Sequence, residues 1–252
     1  QAQKGPQVRI PSLVGLGRCF KAKRLFDLAV SQLKTAKAEL TTMDDTKKDV
    51  VYELGTCFEL MGKADEAIEE FKATISFTSP TGYRFMLDAP NDLTSLRRCV
   101  SAGETLPKAT SDAWFEKTGI RIIDGIGSTE ILHIFISAEG DDIRPGSTGK
   151  AVPLYEARVI DENGDELPRG QVGRLAVKGP TGCRYLCDER QLEYVQNGWN
   201  VTGDAYMQDR DGYFWFQART DDMILSGGYN IAGPEVEGAL LMHPLVKECA
   251  VV

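Results

Sequence analysis

The segment Gly15-Leu16-Gly17-Arg18-Cys19-Phe20 returns 38 residues later as Glu53-Leu54-Gly55-Thr56-Cys57-Phe58. The same offset carries Asp27 onto Asp65, Ala29 onto Ala67, Leu33 onto Phe71 and Lys34 onto Lys72. One register across separated blocks is an internal repeat, so residues 1–76 must be built from one unit used twice. Each copy has the apolar spacing of two helices. In the first helix we expect Leu13, Leu16, Cys19 and Phe20, or Tyr52, Leu54, Cys57, Phe58 and Met61, on one face. In the second we expect Leu25, Ala29, Leu33 and Ala36, or Ala64, Ala67, Ile68 and Phe71. Gly17, Ala29, Gly55 and Ala67 are small enough to let helices approach closely. Thr42 or Asp44 can cap the following helix, and Gly62 marks a break.

Near Ile75 the pattern changes. Short β-rich runs are expected at residues 75–78, 121–123, 157–160, 173–178, 213–216 and 223–225, separated by turns such as Asp161-Glu162-Asn163-Gly164-Asp165. Helices are expected at residues 108–118 and 234–242. This is a mixed α/β pattern. The net charge of −8 is carried by the part after residue 76. Neither part is basic enough to make nucleic acid the expected partner, and no apolar stretch reaches the roughly 18–20 residues of a membrane span. The chain begins at Gln1 with no signal peptide, which we read as a trimmed or partial chain. Its six cysteines are scattered, which points to a reducing, cytoplasmic setting. Cys183 and Cys187 lack the partners of a zinc site, and buried thiols are the expected reading.

Asp124-Gly125-Ile126-Gly127-Ser128-Thr129-Glu130 follows a short strand. Its glycines admit a ligand to the backbone, its hydroxyls suit phosphate, and Glu130 suits a hard cation. Upstream lies Ser101-Ala102-Gly103-Glu104. Downstream follow Gly198-Trp199-Asn200-Val201-Thr202-Gly203-Asp204, Ala218-Arg219-Thr220-Asp221-Asp222-Met223-Ile224, Ser226-Gly227-Gly228-Tyr229-Asn230-Ile231 and Pro234-Glu235-Val236-Glu237. In this order the set resembles the adenylate-forming acyl-CoA synthetase superfamily over about residues 75–252. Ile131-Leu132-His133 and Gly179-Pro180-Thr181-Gly182-Cys183-Arg184-Tyr185-Leu186 make it most similar to benzoate- and aminobenzoate-CoA ligases. Residues 10–76 resemble a tetratricopeptide repeat pair, whose period of about 34 residues is here lengthened.

The resemblance implies three domains: helical repeats over 1–76, the C-terminal part of an adenylate-forming large domain over 77–218, and a hinge with the start of a small domain over 219–252. It implies ATP, Mg²⁺ and CoA as reactants and cofactors, and a small aromatic carboxylate as substrate. For the helical repeats it implies a peptide partner. No membrane or nucleic-acid partner is expected. By the same resemblance Thr129 contacts phosphate and Glu130 binds Mg²⁺, the two catalytic assignments. Gly103, Glu104, Gly125 and Ile126 line the adenine slot, within a nucleotide-binding set that includes Asp124, Gly127 and Ser128. Ile126 stands where an aromatic residue is common. Asp204 and Arg219 take the ribose, and Asp221 is the hinge. Gly227, Gly228 and Tyr229 edge the CoA tunnel or form a simple turn. His133 faces the acyl group or is a satisfied, partly buried histidine. Tyr83, with Thr81, is a further acyl-pocket candidate. Arg144-Pro145-Gly146-Ser147-Thr148-Gly149-Lys150 has the look of a phosphate loop, but Ala151 stands where Ser or Thr is needed, so it is read as a structural turn.

Two parts implied by the resemblance do not occur in residues 1–252: a Gly/Ser/Thr-rich loop with a Lys that cradles the β- and γ-phosphates, and a catalytic Lys of the small domain. Loss of one preorganised charge stabiliser typically costs about 10²–10³ in rate. The expectation is therefore an aryl-acid–CoA ligase fragment, inactive alone, from a chimeric or truncated reading frame. The alternative is a helical-repeat interaction module carrying a ligase remnant.

Overall fold

The computed structural model describes residues 6–41, 44–220, 224–226, 229–243, 245–246 and 249–251. The chain divides into two units, Gln1–Ser76 with Asp88–Arg97, and Phe77–Leu87 with Arg98–Val252.

The first unit holds helices α1 (Pro6–Ala22), α2 (Phe26–Glu39), α3 (Asp45–Leu60) and α4 (Ala64–Phe71). Asp44 caps α3, accepting from the Lys47 amide at 2.9 Å. Thr42, the other cap candidate, lies outside the described residues. Val14, Ala29, Leu33, Ala36, Val50, Leu54, Cys57, Phe58 and Ala67 form the core. The repeat has a direct packing counterpart. A Cβ on Gly17 would fall 2.6 Å from Leu33, and one on Gly55 would fall 2.2 Å from Phe71. These two contacts are related by the same offset of 38.

The expected helix faces need correction. Leu16, Leu25 and Tyr52 are exposed, at 48%, 46% and 63%, and Phe71 is only partly covered. Cys19 is also exposed. In α1 the inward stripe runs instead through Ile10, Leu13, Val14, Gly17 and Phe20, because close approach at Gly17 sets the rotation of the helix. Sequence reading also passes over Glu53. It is nearly buried in α3 and is met from α1 by Arg18 at 2.7 Å and by Lys21. Burial alone would raise its carboxyl, but Lys21 and Arg18 hold it below the usual carboxylate range.

Strand β1 (Ile75–Thr78) spans the division. The second unit continues with α5 (Pro80–Leu87), β2 (Arg98–Ser101), α6 (Lys108–Thr118), β3 (Ile122–Gly127), β4 (Ile134–Ser137), β5 (Lys150–Ala151), β6 (Glu156–Ile160) and β7 (Val172–Lys178). There follow α7 (Arg190–Tyr194), β8 (Val195–Gln196), β9 (Trp199–Gln208), β10 (Phe214–Arg219), β11 (Ile224–Ser226), β12 (Tyr229–Ile231) and α8 (Gly233–Leu241). One sheet runs β1-β2-β3-β4-β5 and another β10-β9-β7-β6, with β8 beside β9 and β11 paired to β12. β2 and β3 are parallel, with Ser101 opposite Asp124. β9 and β10 are antiparallel, with Asp204 opposite Arg219. The two main sheets share a core in which Phe135 and Ile136 pack with Val159, Leu175, Val177, Tyr206 and Phe214. Each such side chain contributes about 1.5–3 kcal/mol of burial.

The helix expected at 108–118 coincides with α6, and that at 234–242 with α8 shifted by one residue. The strand expected at 75–78 coincides with β1, and the other expected strands recur with shifted ends. The sequence does not announce α5, β2, β4, β5, α7, β8, β9 or β12, several of which are four residues or shorter. Of the cysteines expected as buried thiols, Cys57 and Cys99 are buried and Cys183 and Cys187 are exposed. Among the described residues no helix is long and apolar enough to cross a membrane.

Candidate functional site

Parallel pairing of β2 and β3 sets the ends of both strands side by side. Gly103 and Glu104 leave one strand there and Gly127 to Glu130 leave the other. The antiparallel pair β9–β10 brings Asp204 and Arg219 to the same place. The result is one cavity of about 530 Å³ lined by Gly103, Glu104, every residue from Asp124 to Glu130, Asp204 and Arg219. All the residues expected to bind nucleotide are thus brought together. A second cavity of about 630 Å³ shares Glu104, Thr105 and Phe216 with it.

Asp204 and Arg219 form an ion pair at 3.1 Å. Residue 203 is glycine, and a Cβ there would stand 2.4 Å from the Arg219 guanidinium, so a side chain at 203 would require the guanidinium to shift. The turn after β3 is held by Ser128, whose hydroxyl accepts from the Ile131 amide at 3.2 Å and whose carbonyl accepts from the Leu132 amide at 2.9 Å. Burial pushes the Asp124 carboxyl up to about 7, against the Gly125 amide and the Ser101 hydroxyl, which favour its ionised form. Its Oδ1 has no hydrogen-bond partner among the described residues. Glu130 accepts from the Tyr185 hydroxyl at 2.6 Å. That hydrogen bond, opposed by partial burial, keeps the Glu130 carboxyl below its ordinary value.

The site's chemistry fits an adenosine nucleotide with a hard cation. Among the described residues the Asp124 Oδ1 and the Tyr194 hydroxyl have no hydrogen-bond partner, and both belong to residues of a cavity lined by glycines and hydroxyls. Among the described residues no three His, Cys, Asp or Glu side chains converge. A cation beside Glu130 would therefore lean on one carboxylate, on ligand phosphate oxygens and on water, as Mg²⁺ commonly does.

Two acyl-pocket candidates sit elsewhere. Tyr83 is fully buried between helices. It packs edge-on against Trp114 at 4.8 Å and donates to the Val100 carbonyl at 3.0 Å. Its hydroxyl is satisfied in the core and does not line the cavity. His133 is exposed and stacks on Tyr155 at 5.9 Å. Leu132 just before it has left-handed backbone, φ 61°, and His133 does not line the cavity. Thr81 instead donates to Glu104 at 2.7 Å. Tyr229 stands opposite Ser226 in the β11–β12 pair. Asp221, Gly227 and Gly228 lie outside the described residues.

Sequence reading gives no site role to Thr105, Thr148, Tyr194, Val201, Thr202, Gly203, Tyr206 and Phe216, which also line the cavity. The aromatic residues lining the cavity are Tyr194, Tyr206 and Phe216, and the rings of the last two meet edge-on at 5.5 Å. Thr148 belongs to the turn set aside as structural. That turn does join the sheets: the Ser147 hydroxyl donates to the Phe214 carbonyl at 2.9 Å and the Phe214 amide to the Gly149 carbonyl at 2.7 Å.

Residues 50–185 match a family described as AMP-binding enzyme. The match starts inside α3, upstream of the residue-75 onset expected from the motifs. The chain is 40% identical over 199 residues to the mitochondrial acyl-coenzyme A synthetase ACSM3 of Rattus norvegicus, covering 74% of this chain and 34% of that protein. It is 38% identical over 194 residues to the benzoate–CoA ligase of Thauera aromatica, covering 74% and 37%. Among solved structures, the anthranilate CoA ligase AuaEII in complex with anthranoyl-AMP superposes with a TM-score of 0.71 at 46% identity, covering 74% of this chain and 37% of that one. A benzoate CoA ligase from Burkholderia xenovorans LB400 superposes with a TM-score of 0.68 at 34% identity, covering 79% and 40%. The chain spans about a third of the length of the curated relatives it matches.

Proposed function

The chain belongs to the AMP-binding enzyme family, and from that premise we propose that residues 77–252 supply the adenosine side of an aryl-acid–CoA ligase site. The reaction joins a benzoate-like carboxylate to the α-phosphate of ATP with release of pyrophosphate, after which the CoA thiol displaces AMP. What carries this reading is the convergence of Gly103, Glu104, Asp124 to Glu130, Asp204 and Arg219 on one cavity.

In this reading the base lies between the Gly103–Glu104 and Gly125–Ile126 backbones, with Tyr206 and Phe216 giving the aromatic surface. Asp204 accepts from the ribose hydroxyls, a charge-assisted arrangement, and Arg219 reaches the same sugar. Thr129 donates to the α-phosphate. Glu130 would hold Mg²⁺, whose chemistry there is to offset the charge that builds on the phosphate. By family likeness alone, Asp221 is the hinge between residues 77–218 and 219–252, and Gly227, Gly228 and Tyr229 edge the path of CoA. The benzoate and anthranilate enzymes among the similar proteins support an aromatic substrate. The phosphate-cradling loop and catalytic lysine are not within residues 1–252, so this stretch is expected to bind adenylate without turning it over.

Isothermal titration of the full chain with AMP tests the reading. Hydrogen bonds to a charged group are worth about 1.5–3 kcal/mol, so Asp204→Ala should weaken AMP roughly tenfold or more. Absence of AMP binding by the unmodified chain, or an Asp204→Ala variant that binds equally well, would sink it.

A second reading concerns residues 10–76 as a tetratricopeptide-like pair that takes a peptide. The observation that favours it is the recurrence of the Gly17–Leu33 contact as Gly55–Phe71. It competes with the family match over residues 50–76, and saturable peptide binding by the full chain without any for AMP would favour it.

A further inference from the structure

Residues 179–189 form an irregular segment between β7 and α7. One of its side chains is fixed from several directions. The Tyr185 amide donates to the Gln191 side-chain oxygen at 2.8 Å. The Arg190 guanidinium lies over the Tyr185 ring, 4.6 Å from its centroid, and is itself held by Asp188 through two nitrogens at 2.9 and 2.6 Å. The Tyr194 ring meets the Tyr185 ring edge-on at 5.8 Å and 88°. So braced, the Tyr185 hydroxyl reaches across 55 residues of chain to donate to Glu130 Oε1 at 2.6 Å. Tyr194 lines the same cavity as Glu130.

A glutamate on a turn has three side-chain torsions to fix, and fixing them costs rotamer entropy. Glu130 sits on such a turn, between β3 and β4. A donor on one oxygen removes that freedom beforehand and leaves the second oxygen for a cation. Partners that orient a ligating carboxylate in this way are ordinary parts of metal sites. Tyr185 contributes no oxygen to the cavity lining itself, so its reach ends at Glu130.

We propose that Tyr185 is a positioning residue that aims the Glu130 carboxylate at a divalent cation bound with the nucleotide, and that Arg190 and Tyr194 hold Tyr185 for this purpose. The proposal rests on the adenosine-site reading above.

Two measurements on the full chain test it. The first is Mn²⁺ binding, followed by electron paramagnetic resonance with saturating AMP, beside AMP binding in EDTA. Tyr185→Phe should weaken Mn²⁺ roughly tenfold and leave AMP in EDTA within about twofold, whereas Glu130→Gln should remove Mn²⁺ binding. Unchanged Mn²⁺ affinity, or an equal loss of AMP in EDTA, overturns the proposal. The second needs no ligand: hydrogen exchange of the amides of residues 183–196. Tyr185→Phe and Glu130→Ala should each speed exchange several-fold, and the double variant should do no more than either. Additive effects, or none, overturn the proposal even where the unmodified chain binds no AMP, a result that on its own would count against the adenosine-site reading only.

Discussion

Asp124→Asn should stabilise the second unit at neutral and alkaline pH and lose that advantage in acid. The carboxyl belongs to a residue of the cavity wall, and burial pushes it up to about 7 against an ordinary 3.8. Because the folded value is raised, the folded chain holds more protons than the unfolded chain between about pH 4 and pH 7. Its stability therefore falls as pH rises through that window, by up to about 1.4 kcal/mol per pH unit. Three units give a penalty of roughly 4 kcal/mol, complete above pH 7 and absent below pH 4. Asparagine carries no charge and escapes it. Its amide brings a new donor into a buried place, which adds a cost of about 1–3 kcal/mol that does not vary with pH. The slope, and not the offset, is therefore the readout. All three tryptophans, Trp114, Trp199 and Trp215, lie in the second unit, so urea unfolding followed by tryptophan fluorescence at pH 4 to 8 reports on that unit alone. The stability difference between variant and parent should climb from pH 4 to pH 7 and then level. A difference that stays flat over this range would refute the reasoning and place Asp124 outside the titrating groups.

Gly17→Ala and Gly55→Ala should diverge although the repeat makes them equivalent. The new methyl meets Leu33, which is fully buried and has nowhere to go, or Phe71, which is 38% exposed and can swing outward. Overpacking should cost Gly17→Ala about 1–3 kcal/mol, while the helix propensity gained, about 1 kcal/mol, should leave Gly55→Ala near neutral; amide exchange in α1 to α4 reads both. Gly203→Ala should drive Arg219 off Asp204 and weaken AMP roughly tenfold. Since the half-exposed ion pair itself is worth at most about 1 kcal/mol, tryptophan-monitored stability should hardly move, and unchanged AMP affinity would break the link between Gly203 and the proposed ribose contact.

What the sequence discloses and what it hides differ for a physical reason. The residues from Asp124 to Glu130 are contiguous, and their chemistry is a property of one strand end and one turn, so the pattern is visible before any fold is known. Asp204 and Arg219 are likewise carried by short motifs. The helical offset is legible because the contact between Gly17 and Leu33 must be rebuilt at Gly55 and Phe71, and both partners leave a trace at the same spacing. The face of α1 is not legible, because Leu16 and Val14 are both apolar and only the close approach at Gly17 decides which of them turns inward. His133 shows the limit of nearness in sequence: it follows Glu130 by three residues yet does not line the cavity, and Leu132 between them has left-handed backbone.

The concealed part of the site is the part made by pairing. Tyr206 and Phe216 reach the cavity because β9 and β10 are in antiparallel register, Phe216 opposite Tyr206, and Thr148 because its turn is bonded to Phe214. None of these residues carries a local signature, since an apolar residue in a strand is as readily core as cavity wall. Tyr185 is the extreme case, an aromatic residue in an irregular segment whose role depends on a carboxylate 55 residues away. The motif residues would present backbone and charge to a nucleotide, whereas the pairing residues shape the wall and fix the angles. A variant at the second kind of position should therefore leave the family likeness intact while changing what the cavity accepts.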